Sequence, residues 1–151
     1  MATLDRRGIM DAGTLLTAAS VIGAFGTAAL VFRLERELHM AERGEPRWIP
    51  WADWLMIVAT VMSFLIVTAL LLFPTAALHV ASGCLAGAAM MAAGYPFAIF
   101  AHYRLLFGGK RQGPRTNPEG AECLLVLLSI VLATIAAVCT FVVSGGGLTW
   151  R

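Results

Sequence analysis

Charge is what this sequence has least of. Asp, Glu, Lys and Arg supply 13% of its 151 residues, against 59% hydrophobic residues and a mean hydropathy of +0.79. A chain this short buries only part of the surface that its unfolded form exposes, so a water-soluble fold would leave large apolar patches at its boundary. The shortage of charge argues against water as the main solvent and points to lipid. No run of five or six like charges occurs and the net charge is only +2, which argues against nucleic acid as a partner. Cysteine is also sparse. Cys84, Cys123 and Cys139 lie in apolar stretches without Cys-x-x-Cys spacing, which argues against a zinc site or a disulfide framework and leaves them the role of small buried hydrophobes.

Signatures of chemistry are equally sparse. No HExxH and no nucleophile elbow is present. Gly108-Gly109-Lys110 lacks the phosphate-loop pattern, with Arg104 at the first glycine position and Arg111 in place of Ser or Thr. The middle of the apolar blocks holds no Asp, Glu, Lys, Arg or His, which argues against an ion-coupled transporter, where such residues mark the pathway. No cofactor and no metal site is expected.

What the sequence does have is long charge-free blocks. Ala12 to Phe32 is one, of 21 residues. Arg6 and Arg7 precede it as in a signal peptide, but it is longer than a signal h-region and matches a retained membrane span; the arginine pair also lacks the twin-arginine context. Trp54 to Tyr103 is a second block, of 50 residues. As one helix it would reach about 75 Å, twice a bilayer, so it must fold back, and Phe73-Pro74-Thr75 is the natural hinge. A last block runs from Cys123 to the glycines at 145–147, with Asn117, Pro118, Glu119 and Glu122 as start signals. Blocks of this length fit helices and not the short alternating strands of a barrel.

The reading is an all-α, single-domain integral membrane four-helix bundle. Its spans lie near 12–32, 53–73, 76–103 and 120–144 in two hairpins, with polar loops at 33–50 and 104–118. The first loop begins as a continuation of the first helix, since Arg33 and Glu37, and Glu35 and His39, are spaced four apart. Trp48, Trp51 and Trp54 form an interface anchor before the second span. The two loops share one face and hold eight of the eleven Lys and Arg residues, which predicts that they are cytoplasmic and both termini outside. Ten arginines to one lysine, with abundant Ala and Gly, suit a GC-rich bacterial genome and hence a bacterial inner membrane.

Helices in lipid associate by close packing, so stripes of small residues mark candidate seams. The first span carries Gly13, Thr17, Ser20, Ala24 and Thr27; the third Gly83, Gly87 and Gly94; the fourth Ser129, Ala133, Ala136 and Thr140. Packing within the chain is the simpler use, and the sharper one is that Gly83 to Gly94 joins protomers. The second span, rich in Leu, Ile and Val, is expected to face lipid most. Thr17, Thr27, Ser129 and Thr140 are candidate pore-lining residues in an oligomer, or else bond back to their own helices. Lys110, Arg111 and Arg115 are candidates for contact with anionic lipid or a soluble partner.

Three histidines remain. His79 and His102 are about 34 Å apart along one helix and cannot share a metal, whereas His102 and His39 lie on the loop face, where Glu35 or Glu122 could complete a polar cluster. The function these features predict is a non-enzymatic multi-pass subunit that contacts membrane lipid and assembles with itself or a membrane-protein partner. An oligomeric pore or membrane-permeabilising effector is the alternative. An enzyme working from the loop face through His39 or His102 is a weaker one.

Overall fold

The computed structural model describes residues 11–44, 50–73, 77–105 and 119–144. They form four helices: α1 (Ala12–Glu42), α2 (Ala52–Leu72), α3 (Leu78–His102) and α4 (Gly120–Ser144), with no strand among the described residues. Each helix is long and apolar enough to cross a membrane. The hinge at Pro74, the glycines at 145–147, Arg6, Arg7, Asn117 and Pro118 lie outside the described residues.

Local chemistry explains the helix starts. Asp11 caps α1 by accepting a bond of 2.7 Å from the Thr14 amide, which satisfies one of the donors that a helix start leaves over. This bond holds the Asp11 carboxyl below its ordinary range. The start of α2 has no side-chain cap of its own and takes an acceptor from α4, described below. At the other end α1 runs ten residues past its charge-free block, through Arg33 to Glu42, so the head of the first loop is helical.

The four helices form an open arrangement. The α2–α3 hairpin is its spine, α4 lies along α3, and α1 lies along α2 with some reach to α3. α1 and α4 do not touch among the described residues. One apolar cluster joins Leu15 and Ala19 to Ile66, Leu70, Ala81 and Leu85; a second, nearer the loops, joins Ala52, Leu55 and Met56 to Tyr95, Ala98 and Val126.

This packing corrects the expectation that α2 faces lipid most. Met56, Ala59, Ser63, Ile66 and Leu70 are buried, and α4 is the exposed helix, with Leu124, Leu127, Ile135 and Val138 facing outward. The reason is that hydrocarbon is as apolar as leucine, so apolar content does not mark the lipid side. Cys123 and Cys139 are likewise exposed to lipid and not buried.

Glycines set the close approaches. A Cβ on Gly83 would stand 2.9 Å from the Ala137 carbonyl oxygen, and one on Gly94 would collide with the Ser129 side chain, so α3 meets α4 backbone to backbone along this stripe. Gly87 is less tight, 3.5 Å from both the Ala133 carbonyl and the Ala137 methyl. Gly26 similarly admits Thr60 of α2.

Two predictions follow from these contacts. Gly83→Ala should destabilise the protein by about 1–3 kcal/mol, because a backbone atom must move. Gly87→Ala should be neutral or stabilising, Gly87→Leu strongly destabilising, and Leu71→Ala, on an exposed position, nearly silent; thermal unfolding in mild detergent ranks all four. The second concerns pH. Because the Asp11 carboxyl is lowered in the folded state, its contribution is complete above the ordinary Asp range and fades as pH falls through the lowered value. The protection of the Thr14 amide, taken relative to its intrinsic exchange rate at each pH, should fall on acidification, and Asp11→Asn, which caps without titrating, should remove that fall.

Candidate functional site

The charged residues at the loop end of the spans converge on one another across all four helices. Glu122, in the first turn of α4, is fully buried. One of its oxygens accepts a bond of 2.8 Å from Nδ1 of His102, the last residue of α3, whose side chain is also completely enclosed. The other accepts from the backbone amide of Ala52, the first residue of α2, at 3.2 Å. A single carboxylate therefore pairs with a histidine from one helix and caps another. With Glu122 ionised, the ring must present an N–H at Nδ1, which both the imidazolium and one neutral tautomer do.

Beside it Arg33 of α1 is nearly buried. Nη1 donates to the Tyr103 hydroxyl at 2.6 Å and Nη2 to Glu37 at 3.0 Å. Nε lies 3.5 Å from Asp53, within ion-pair range but not aligned as a hydrogen bond. Tyr95 donates weakly to the same Asp53 oxygen at 3.4 Å. Tyr103 also stands edge-on to His102, with ring centroids 5.0 Å apart, and carries the Arg36 guanidinium over its face at 4.5 Å. Arg104, just past α3 in left-handed backbone, pairs with Glu119 just before α4 at 3.0 Å.

The opposing charges here are mutually paired and mostly shielded. Such an arrangement fixes helix ends and register; it is costly to break because removing one partner strands the other. Among the described residues no group of three or more His, Cys, Asp or Glu side chains is placed to hold a metal ion. An apolar cleft of about 170 Å³ opens between α2 and α3, lined by residues such as Leu65, Ala69, Val80 and Cys84, and offers only hydrocarbon contact.

The cluster was only half visible in the sequence. His102 and Glu122 come together, but His39 does not join them: it is exposed and its ring bonds the backbone carbonyl of Glu35 at 3.1 Å. Arg33, Asp53, Tyr95 and Tyr103 were not singled out as a site. The available signal was that Arg33 shares a helical face with Leu15, Ala19 and Gly26, the buried face of α1.

The seam residues fall on different surfaces. Gly83, Gly87 and Gly94 face α4 of the same chain, at Ala133, Ala137 and Ser129, which is the simpler of the two uses expected of this stripe and leaves little of it for a second protomer. Ser129 is buried there and bonds the Leu125 carbonyl, which removes it from a pore lining. Ser20 and Ala24 do not pack within the chain; the α1 seam toward α2 is Leu15, Ala19, Gly23 and Gly26, and the predicted stripe lies on the exposed side with Thr17 and Thr27. The Thr17 and Thr27 hydroxyls donate to the carbonyls of Gly13 and Gly23. Thr140 is half-buried on α4. Trp51 and Trp54 are exposed, as interface anchors require, whereas Trp48, Lys110, Arg111 and Arg115 lie outside the described residues.

Comparison with protein-family models, with curated proteins and with solved structures gives no match.

Glu122→Ala should cost about 3–5 kcal/mol in thermal unfolding, since it removes from a closed site the carboxylate that His102 and the Ala52 amide share. Glu122→Gln, which can still accept from that amide, should cost less. His102→Ala and Glu122→Ala together should cost much less than the sum of the two, the mark of a shared interaction.

Proposed function

We propose that this small multi-pass membrane protein is a non-enzymatic subunit that assembles with other membrane chains through helix seams, with its loop face toward the cytoplasm of a bacterial cell. The observation that carries this reading is the stripe Gly13, Thr17, Ser20, Ala24 and Thr27. It lies exposed on α1, roughly opposite the face used against α2. Small residues in lipid allow backbones to approach closely, and the two threonine hydroxyls are already bonded inward, so a second helix can cover this face at little polar cost. The paired charges at the loop end support a structural and not a chemical role for that region, because they are spent on joining helices.

A pore is the rival, favoured by the hydroxyls of Thr17, Ser20 and Thr27 on the same exposed face, which clustered copies of α1 could turn toward a channel. Two measurements separate the readings. A photo-crosslinking residue at position 24 should give a protein adduct of defined mass in intact membranes, whereas one at Leu127 on the lipid face of α4 should give none. Lipid adducts alone at position 24 would refute assembly at this stripe. Liposomes holding the purified protein should retain dye; steady leakage abolished by Thr17→Leu would establish the pore instead.

A further inference from the structure

Two ion pairs join the end of α3 to the start of α4, and they differ in kind. The inner one, His102 with Glu122, is completely enclosed. The outer one sets Arg104 Nη2 on Glu119 Oε2 at 3.0 Å, and the Arg104 side chain remains 26% exposed. Arg104 also shapes the backbone. Its amide donates to the Ala101 carbonyl at 2.9 Å and the Leu105 amide donates to the Phe100 carbonyl at 2.8 Å, the two bonds of a Schellman turn. That turn needs left-handed backbone at the residue after the cap, and Arg104 provides it with a φ of 56°. Glycine is the usual occupant, because a side chain there crowds its own carbonyl and favours right-handed backbone by about tenfold. Arginine gives up that freedom and gains a guanidinium that reaches the start of α4.

The carboxylate is held at a cost as well. Glu119 is a buried residue, and while Oε2 accepts from the guanidinium, Oε1 is enclosed and takes no hydrogen bond among the described residues. An enclosed acceptor without a donor is unfavourable. Each partner therefore carries a local penalty that their contact offsets, and parting relieves both: Arg104 can turn to right-handed backbone and Glu119 can reach water. We infer that the Arg104–Glu119 pair is a clasp poised to open, and that its opening undoes the turn that ends α3 while the inner pair keeps α3 and α4 together. Because the outer pair is partly exposed and the inner one is not, ionic strength acts on the clasp first.

Amide exchange of the full-length protein in uncharged mild detergent tests this, with protection taken relative to the intrinsic rate. Leu105 reports the turn, and Met90 in the middle of α3 reports opening of the whole helix. Glu119→Gln should lower Leu105 protection about fivefold and leave Met90 unchanged. Sodium chloride at about 1 M, where charges are screened over about 3 Å, should act on the parent protein in the same direction. Arg104→Gly loses the ion pair but adopts the turn without strain, so its Leu105 amide should be at least as protected as the parent's and should respond neither to salt nor to an added Glu119→Gln. Unchanged Leu105 protection in Glu119→Gln would show that the turn does not depend on the pair. Protection in Arg104→Gly as low as in Glu119→Gln would show that the backbone holds no strain to release, and an equal fall at Leu105 and Met90 would mean general destabilisation. Each of these three results overturns the inference.

Discussion

Glu122 places a carboxylate where no water reaches it and divides its two oxygens between separate helices. Everything at the loop end is arranged around that demand. α2 begins where its first amide meets the carboxylate, and α3 ends where its last side chain does. Because an ionised group in an enclosed site is tolerable only when fully paired, the contact fixes which helix ends are neighbours as well as contributing to their attraction. Arg33 repeats the scheme one layer away, joining Tyr103, Glu37 and Asp53 from three segments of chain.

Along the spans the ordering principle is different. No helix gains by leaving one hydrocarbon for another, so the bundle is held by how closely backbones approach, and glycine opposite a carbonyl or hydroxyl is the recurring device. Gly83 and Gly94 do this between α3 and α4, and Gly26 between α1 and α2. Specific polar pairing at one end and close steric packing along the length are complementary: the former chooses partners and register, the latter holds them in lipid.

The number and type of helices were legible in the sequence because a bilayer imposes a length and forbids charge, and both are visible as blocks such as Trp54 to Tyr103. The orientation of each helix about its axis was much less so. On α1 the stripe Thr17, Ser20, Ala24 and Thr27 and the stripe Ala19, Gly23 and Gly26 are both small; only the neighbours decide which is covered. On α2 the leucines gave no direction at all, since lipid and protein interior are equally apolar to them. At the site, His102 with Glu122 could be anticipated from their shared face of the membrane. The arginine network could not: the continuing helix and the Arg33–Glu37 spacing were legible, but not that the Arg33 side chain turns inward to Tyr103 and Asp53 of other helices.

The capping of α2 by a residue of α4 has a consequence for how the chain is made. Synthesis proceeds from the amino terminus, so α1, α2 and α3 reach the membrane before the helix that carries Glu122. Until it arrives, the Ala52 amide and the His102 ring lack the carboxylate that serves them both. Before α4 is in place, the loop end of the first three helices therefore presents polar groups that the finished bundle encloses. Insertion of α4 closes that end in one step, so the polar pairing of α2 and α3 is completed by a helix made after both of them.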